Sequence, residues 1–302
     1  MTYKIDNITK GTVHDIYEKI FYKINQNYVD VFLCGGASSL VKKSIRDQVR
    51  DEMKKYSNIR ILYPEDMFIE MLNKYKNYDL LSLEGFLADN SDIICIVCES
   101  AGSLVELGAF TNNGKTVNKV VAVIDEKRKR DNSFIMLGPI KILQKISKKN
   151  VLFYNENDIT TLERDLNKRF NINRSKREEI ISNRSSNNKA LNTIIGMYYF
   201  IPLLLYFYKD LSSDKIVDLI SYLMEKNEYE VKDFNTTYRA SLKLLHKDKY
   251  LNKHVVQGDT RFSLTEKGYK NTNDLLNSVE MPNRTKLYDK IRFGIIKEQY
   301  YN

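Results

Sequence analysis

Glu106 is the carboxylate whose position in the sequence best fits a chemical role. It lies in the segment Ser103 to Phe110, which follows the apolar run Ile93 to Cys98. A short apolar run before a helix-forming segment predicts a buried strand and a strand-to-helix turn. In open α/β sheets ligands bind at such turns, outside the carboxyl ends of the strands. A rigidly held carboxylate there suits attack on, or stabilisation of, an oxocarbenium-like sugar centre.

The same residues also fit a structural role. Ser103 and Glu106 have the spacing of a capping box, in which the serine caps the helix and the glutamate reaches back to it. The small residues Gly108 and Ala109 would let the helix lie close to the sheet and leave space beside the carboxylate. Because a helix N-terminus favours negative charge, we predict that Glu106 stays ionised near neutral pH.

Further candidates fall at the same edge of the predicted sheet. Asp66, with Glu65 beside it, follows the second strand, and Glu99 follows the third; Asp66 or Glu99 could protonate or orient a leaving base, and each acid could equally be a loop carboxylate or a helix cap. The paired glycines after the first strand are a weak phosphate-loop signal. The candidate substrate-binding residues are Gly35, Gly36, Asp66, Glu99, Ser100, Gly102 and Ser103.

The elements that would position these residues alternate between strand and helix in the first half of the chain. The predicted strands are 29–34, 59–63, 92–98, 120–124 and 151–154, and the predicted helices between them cover 38–56, 80–90, a segment beginning at 103, and 134–145. Parallel strands need helical crossovers, so we predict a doubly wound, mainly parallel five-stranded sheet covered on both faces.

The second half changes character. A basic stretch near 164–189 precedes the apolar run Ile194 to Tyr208, which we interpret as a buried helix pair because it is too short to span a bilayer. Amphipathic helices are predicted over 214–227 and 235–249, and a hairpin over 250–264. This order predicts a winged helix-turn-helix domain. Its candidate nucleic-acid-binding residues are Arg239, Lys243, Lys247 and Arg261.

Length and composition bound the architecture and the partners. A chain of 302 residues favours more than one domain. We predict an α/β domain over 1–165, a basic linker with buried helices over 166–210, and a winged helix over 211–302. The net charge is +9, and residues 171–302 carry 22 Lys and Arg against 16 Asp and Glu. That excess favours a polyanionic partner, although a solvated basic face would look the same.

The cysteines and the N-terminus bear on the compartment. Cys34, Cys95 and Cys98 lie within or at the end of apolar strand-like runs, where thiols behave as small buried hydrophobes. Cys95 and Cys98 would point to opposite faces of a strand, which argues against a metal or redox pair. The N-terminus lacks the apolar core of a secretory signal. We therefore expect a cytoplasmic protein with no membrane segment and no metal.

Several ordered motifs in the first half closely resemble one family. The family is the effector subunit of nucleoside-deoxyribosyltransferase-like retrons, which are bacterial anti-phage systems. The resemblance covers about Val29 to Lys145, and the C-terminal helices and wing follow the same layout more loosely. The matching segments are Phe32 to Gly36, Tyr63 to Asp66, Leu81 to Glu84, Glu99 to Phe110, and Phe134 to Pro139.

The resemblance implies an N-glycosidase-type α/β domain fused to a winged-helix DNA-binding domain. It implies association with a retron reverse transcriptase and its multicopy single-stranded DNA, self-association as a homo-oligomer or filament, and cleavage of NAD⁺ that halts infected cells, with no cofactor besides the NAD⁺ substrate. In nucleoside deoxyribosyltransferases the glutamate of the corresponding motif is the nucleophile, which carries over to Glu106. The family's Asp-rich base-recognition loop is replaced here by Cys98-Glu99-Ser100.

Three functions follow as hypotheses. The first is an NAD⁺-cleaving toxin in which Glu106 stabilises or captures the ribosyl centre. The second is an N-glycosidase or deoxyribosyltransferase that acts on nucleosides or deoxynucleotides. The third is a non-catalytic protein in which the α/β domain senses a nucleotide and the winged helix regulates.

Overall fold

The computed structural model describes residues 5–56, 58–65, 89–180, 190–229 and 233–301. Asp66, the motif from Leu81 to Glu84, and most of the predicted helix 80–90 lie outside these ranges. Contacts divide the chain into two compact units, Tyr28–Asn188 and a second that joins Met1–Asn27 to Lys189–Asn302.

The N-terminal helices group with the C-terminal part of the chain. Helix α1 (Asn7–Ile16) is capped by Asp6, whose side chain accepts a hydrogen bond from the N–H of Ile8 at 2.7 Å. A π-helical segment, Tyr17–Phe21, joins α1 to α2 (Tyr22–Asn27). The sequence predicts that these residues belong to the α/β domain, whereas the contacts group them with the other unit. A contact with the C-terminal end of the chain leaves no local signal in the sequence.

The unit Tyr28–Asn188 contains the predicted parallel sheet. Its strands are β1 (Val29–Cys34), β2 (Ile59–Leu62), β3 (Ile93–Val97), β4 (Val120–Asp125) and β5 (Val151–Tyr154), in the order β2-β1-β3-β4-β5. Every neighbouring pair is parallel. The prediction of a five-stranded parallel sheet is confirmed.

Among the described residues, helices follow β1, β3, β4 and β5. They are α3 (Ile45–Met53), α4 (Ala101–Asn112), α5 (Lys141–Ile146), which follows a π-helical segment at Met136–Ile140, and α6 (Ile159–Ile180). The predicted helix 38–56 is shorter because Ser39 and Lys42 close a turn before it, with the Ser39 N–H donating to the Lys42 carbonyl at 3.0 Å. Helix α6 runs through part of the segment interpreted as a basic linker.

The strand order places a topological switch point beside β1. From β1 the chain moves outward to β2, and from β3 it moves the opposite way to β4. The crevice between the carboxyl ends of β1 and β3 is where ligands bind in sheets of this order. The loop that begins at Gly35 leaves β1 there, and the turn into α4 leaves β3 beside it.

The second unit continues with a helical segment and a small antiparallel sheet. In chain order these are α7 (Ile194–Tyr208), β6 (Asp210–Ser212), α8 (Ser213–Lys226), α9 (Phe234–Lys247), β7 (Leu251–Val256), β8 (Asp259–Leu264), α10 (Glu266–Asn277) and α11 (Arg284–Tyr301). The sheet order is β6-β8-β7. The predicted helices 214–227 and 235–249 are confirmed to within two residues, and Ser212 caps α8.

Two local predictions need correction. Ile194 to Tyr208 is a single buried helix rather than a helix pair, and it continues through Pro202 because packing on every side offsets the missing N–H. The hairpin prediction is confirmed, but its turn is centred on Gln257 and Gly258, both at positive φ, rather than on Gly258 and Asp259. Such φ values match the twist of the flanking strands.

All three cysteines are buried and unpaired, as their strand positions predict. Within the described ranges, no helix is long and apolar enough to cross a membrane.

Candidate functional site

Glu106 lies on the second turn of α4, at the carboxyl edge of the sheet beside the switch point. Helix α4 begins earlier than the sequence suggests, with Ser100 rather than Ser103 as its cap. The Ser100 hydroxyl accepts from the Ser103 N–H at 3.2 Å, and the Ser103 hydroxyl accepts from the Ser100 N–H at 3.0 Å. The predicted capping box of Ser103 and Glu106 is therefore wrong, and Glu106 has no part in capping.

The carboxylate of Glu106 is half-buried and poorly satisfied. Its Oε2 atom is shielded from solvent and has no hydrogen-bond partner among the residues that the structure describes. The pKa of Glu106 is raised to about 7, mainly by burial and also by the negative charge of Glu65, while the positive charge of Arg46 opposes both. The expectation of full ionisation at neutral pH is wrong, because at the second turn the helix dipole is too weak to offset the loss of water.

Arg46 and Glu65 form an ion pair at the same edge of the sheet. Arg46 belongs to the first turn of α3, and its Nη1 donates to Glu65 Oε1 at 2.6 Å. The Arg46 side chain is 7% exposed, whereas that of Glu65 is 56% exposed. The guanidinium also lies 4.3 Å from the ring centroid of Tyr63. Burial, the ion pair and the ring together hold this cation in one place.

The thiol of Cys34 shows how close these charges lie to one another. Cys34 ends β1 and is fully buried, which raises its pKa well above the usual value. The charges of Glu106 and Glu65 raise that pKa further, whereas Arg46 lowers it. Charged groups from α4, from the segment after β2 and from α3 therefore all act electrostatically on the carboxyl end of β1.

Glu99 has a structural partner instead. Its two carboxylate oxygens accept from the backbone N–H groups of Ile45 and Arg46, at 2.8 and 3.0 Å. Glu99 therefore caps the first turn of α3, together with the Ser44 hydroxyl, which accepts from the Asp47 N–H at 3.1 Å. The role of Glu99 as an acid that protonates a leaving base stays a prediction. Glu99 could take that role only if its hydrogen bonds to the backbone of α3 were broken.

The glycines after β1 allow the close approach of three elements. A Cβ atom on Gly35 would lie 3.0 Å from Cβ of Arg46 and 3.2 Å from Cβ of Val97, and the φ of Gly35 is +153°. A Cβ atom on Gly36 would lie 3.1 Å from Cγ of Glu99. The predicted phosphate-loop role of these glycines stays untested. Packing of α3 against the end of β3 leaves no room for a larger side chain at Gly35, and Glu99 limits the room at Gly36.

The structure brings most of the predicted site residues together. Gly35, Gly36, Glu99, Ser100 and Ser103 lie at the same edge as Glu106, Gly102 is exposed on the first turn of α4, and Asp66 lies outside the described residues. Arg46, which lies at this edge, is not among the site residues that the sequence predicts. In the sequence, Arg46 stands out only as a basic residue near the start of a helix that follows two glycines. Basic residues in such positions are usually solvated, so the sequence gives no reason to place Arg46 in a site.

The candidate nucleic-acid residues divide into two groups. Arg239, Lys243 and Lys247 are exposed on one face of α9, at intervals of four residues. Arg261, on β8, instead forms a salt bridge with Asp210 of β6, and the second oxygen of Asp210 lies 2.8 Å from Nε2 of His254 on β7. The three α9 side chains are exposed, whereas Arg261 helps to join the three strands.

The fold and the site define a two-unit protein that combines a candidate ligand site with a basic helical surface. One unit is a parallel α/β domain with a half-buried carboxylate beside its switch point, and the other is a helical unit that displays a basic helix face. Within the described residues no cluster of His, Cys, Asp or Glu could hold a metal ion.

Comparison with known proteins identifies the family. A sequence model of the STM3845 retron effector protein family matches residues 42–253, which is more than half of the chain. The chain therefore belongs to this family of retron effector proteins.

Two curated relatives from Escherichia coli are similar to the chain over part of their length. The "Retron Ec86 putative ribosyltransferase/DNA-binding protein" is 36% identical over 154 residues, covering 51% of this chain and 50% of the relative. The "Retron Ec73 putative ribosyltransferase/DNA-binding protein" is 31% identical over 124 residues, covering 40% of this chain and 39% of the relative. The alignments thus span half or less of these proteins.

Proposed function

We propose that the α/β unit cleaves an N-glycosidic bond, with NAD⁺ as the substrate and nicotinamide and ADP-ribose as the products. The observation that carries the proposal is Glu106, a half-buried carboxylate at the ligand edge of a parallel sheet, with one oxygen that no described residue hydrogen-bonds. Perturbed acids in such crevices are candidates for catalysis. The ribosyltransferase names of the two relatives support glycosyl chemistry.

The chemistry follows from the charge of Glu106. As the C1′–N bond of NAD⁺ breaks, positive charge develops on the ribosyl centre, and an ionised carboxylate stabilises or captures it. Nicotinamide leaves as a neutral ring and takes the bonding electrons, so it needs no proton. Water then attacks C1′ and loses a proton, which gives ADP-ribose. Because the pKa of Glu106 is about 7, we expect the rate to rise as the pH rises through that value.

A second substrate class is favoured by the same pKa. The base of a neutral nucleoside is a better leaving group once the base is protonated. Near pH 7 a fraction of Glu106 carries a proton and could donate it to the base. A nucleoside or deoxynucleotide N-glycosidase, or a deoxyribosyltransferase, is therefore the alternative. Its rate would fall as the pH rises through about 7, which is opposite to the NAD⁺ reaction.

We also propose that the segment from α7 to β8 is a winged helix-turn-helix domain. Its order of helix, strand, helix, helix and hairpin is that of a winged helix, with β6 pairing with the hairpin strand β8. In this proposal α9 contacts nucleic acid through Arg239, Lys243 and Lys247. The DNA-binding names of the relatives support it.

Partners follow from membership of the retron effector family. We propose that the protein binds the retron reverse transcriptase and its multicopy single-stranded DNA, self-associates as a homo-oligomer or filament, and acts as a toxin in anti-phage defence. The rival is a non-catalytic regulator, in which the α/β unit binds a nucleotide and cleaves nothing.

The products of a substrate panel test the proposal. The purified chain, alone and with the reverse transcriptase and its DNA, is incubated with NAD⁺, nucleosides and deoxynucleotides, and the products are identified by mass spectrometry. Nicotinamide and ADP-ribose are expected. Release of free base from nucleosides while NAD⁺ remains intact would make nucleosides, rather than NAD⁺, the preferred substrate. Tight nucleotide binding without any product would establish the regulator instead.

A further inference from the structure

Tyr206 and Tyr269 form a stacked pair of rings at the surface of the unit that contains α9. Tyr206 lies on the last turn of α7, and Tyr269 lies near the start of α10. Their ring centroids are 4.9 Å apart, and their planes are inclined by 18°. Tyr206 is 6% exposed, and its hydroxyl donates to Oδ1 of Asn273 at 3.2 Å, whereas Tyr269 is 44% exposed. The pair therefore consists of a buried, fixed ring and an exposed ring that rests on it.

The ammonium group of Lys209 lies beside this pair. Its Nζ atom is 5.2 Å from the ring centroid of Tyr206 and 5.1 Å from that of Tyr269. With the 4.9 Å between the rings, these distances form a nearly equilateral triangle. A cation on the outer face of Tyr269 would be much farther from Tyr206, so Lys209 does not cover that face. Among the described residues no third ring stacks on Tyr269.

The backbone of Lys209 is strained, which fits a role for its side chain. Lys209 joins α7 to β6 with a φ of +70° and a ψ of −50°, a region that residues other than glycine rarely adopt. Its N–H donates to the carbonyl of Leu205 at 2.9 Å, and Asp210, which is paired with Arg261, begins β6 directly after it. A glycine would adopt this conformation freely, and the structure would lose the cation.

The charges around the exposed ring suit an anionic ligand. Lys270, which follows Tyr269 on α10, is exposed, and no described residue forms an ion pair with Lys270 or with Lys209. The acids of α10 are Glu266 and Asp274, three residues before the ring and five after it. An uncovered aromatic face beside two unpaired cations matches a flat ring that carries a phosphate, which is the chemistry of a nucleotide.

We infer that the outer face of Tyr269 stacks on an unpaired base of single-stranded nucleic acid, and that Lys209 and Lys270 attract the adjoining phosphates. The inference rests on the proposed role of this unit in binding nucleic acid and adds a site outside α9. In a duplex, neighbouring bases cover both faces of each base, so only an unpaired or terminal base can stack on the ring. Stacking tolerates any sequence because every base has a π-face. The site therefore recognises a single strand rather than a sequence.

Binding of the full chain to labelled DNA, followed by fluorescence anisotropy, tests the inference. The probes are an oligothymidylate strand and a blunt-ended hairpin. Tyr269→Ala removes the ring, so affinity for the strand should fall about tenfold, whereas affinity for the hairpin should stay within about twofold. Tyr269→Phe keeps the ring and should bind the strand as the parent does. The salt dependence should be unchanged in Tyr269→Ala, because stacking releases no counterions. Lys209→Gln should weaken strand binding and lower the slope of log affinity against log salt by about 0.7, the value for one phosphate contact on a single strand.

Phe293→Ala is the matched control. Phe293 is an exposed ring of the same unit, and the Lys297 ammonium lies 4.8 Å from its centroid, but no described ring stacks on it. Its affinities should match those of the parent. Photo-cross-linking of a strand that contains 5-iodouracil, followed by mass spectrometry, should identify Tyr269. An equal loss in Phe293→Ala, an equal loss on the blunt hairpin, or a Tyr269→Phe variant as weak as Tyr269→Ala would overturn the inference.

The failure of this site can be distinguished from that of the proposed α9 face. If reversal of the α9 cations abolishes binding while Tyr269→Ala binds the strand as the parent does, only the stacking site fails. If Tyr269→Ala loses strand binding while the α9 reversal changes nothing, the α9 face fails and the stacking site stands. A parent that binds neither probe would overturn both. Thymidine monophosphate that competes as well as the strand would assign the site to free nucleotides and overturn recognition of a strand.

Discussion

Two carboxylate clusters in different units of the chain have opposite charge arrangements. At the edge of the parallel sheet, the cation Arg46 forms an ion pair with one carboxylate, Glu65, and acts electrostatically on a second, Glu106. In the small antiparallel sheet, the single carboxylate of Asp210 lies between Arg261 and His254. The second arrangement satisfies its anion from both sides and joins three strands. The first leaves Oε2 of Glu106 without a hydrogen-bond partner among the described residues, which costs stability rather than adding to it.

The comparison distinguishes a structural cluster from a functional one. A protein gains stability when a carboxylate is paired, as Asp210 and Glu99 are, and loses it when a carboxylate is buried without donors. Glu106 is buried in this costly way at the place where parallel sheets bind ligands. We therefore expect substitutions at Glu106 to change activity, and substitutions at the paired carboxylates to change stability.

The largest effect is expected for Glu106→Gln. The substitution keeps the shape and removes the charge, so NAD⁺ cleavage should fall by at least about 100-fold while the fold is retained. The measurement is the initial rate of nicotinamide release, with circular dichroism as the check on folding. A variant that is as active as the parent would remove Glu106 from the mechanism.

The next effect concerns the basic face of α9. Reversing Arg239, Lys243 and Lys247 to glutamate should weaken binding to retron DNA and lower the slope of log affinity against log salt by about three, since each phosphate contact releases counterions. Reversing Lys141, Lys145 and Lys149, which are exposed in the α/β unit, makes the same change in net charge. If both triple variants have the same salt slope, α9 is not the binding face.

A smaller effect is expected for Glu99→Gln. An amide has a single acceptor oxygen and no charge, so one of the two bonds to the backbone of α3 is lost and the other is weakened. The free energy of unfolding should fall by about 1–2 kcal/mol, measured by urea denaturation. The maximal rate should fall far less than in Glu106→Gln. An equal loss of rate would make Glu99 a second catalytic acid.

The smallest effect is expected for Asp210→Asn. All three members of this cluster are about a third or more exposed, and such pairs contribute less than about 1 kcal/mol. Urea denaturation should show a change within that limit, and NAD⁺ cleavage should be unchanged. A fall of several kcal/mol in the free energy of unfolding would show that Asp210 holds the three strands together far more strongly than an exposed ion pair.

The sequence predicted the parallel sheet and the position of Glu106 because apolar runs and the turns after them are local signals. It misplaced the cap of α4 because Ser100 and Ser103 have similar propensities, and it misjudged the charge of Glu106 because burial depends on packing. Arg46 was missed for the same reason, since it meets Glu65 only when β1 and β2 pair. The grouping of α1 with α11 is likewise a long-range contact.

The most direct test is the ionisation of Glu106 itself. Titration of its carboxyl carbon by ¹³C NMR, assigned by comparison with Glu106→Gln, should give a midpoint near 7. This value means that folding favours the protonated form, so the stability that protonation gives is fully present below the usual glutamate pKa and is lost as the pH rises through about 7. A midpoint near 4.5, the ordinary value, would show that Glu106 is solvated and would contradict the account.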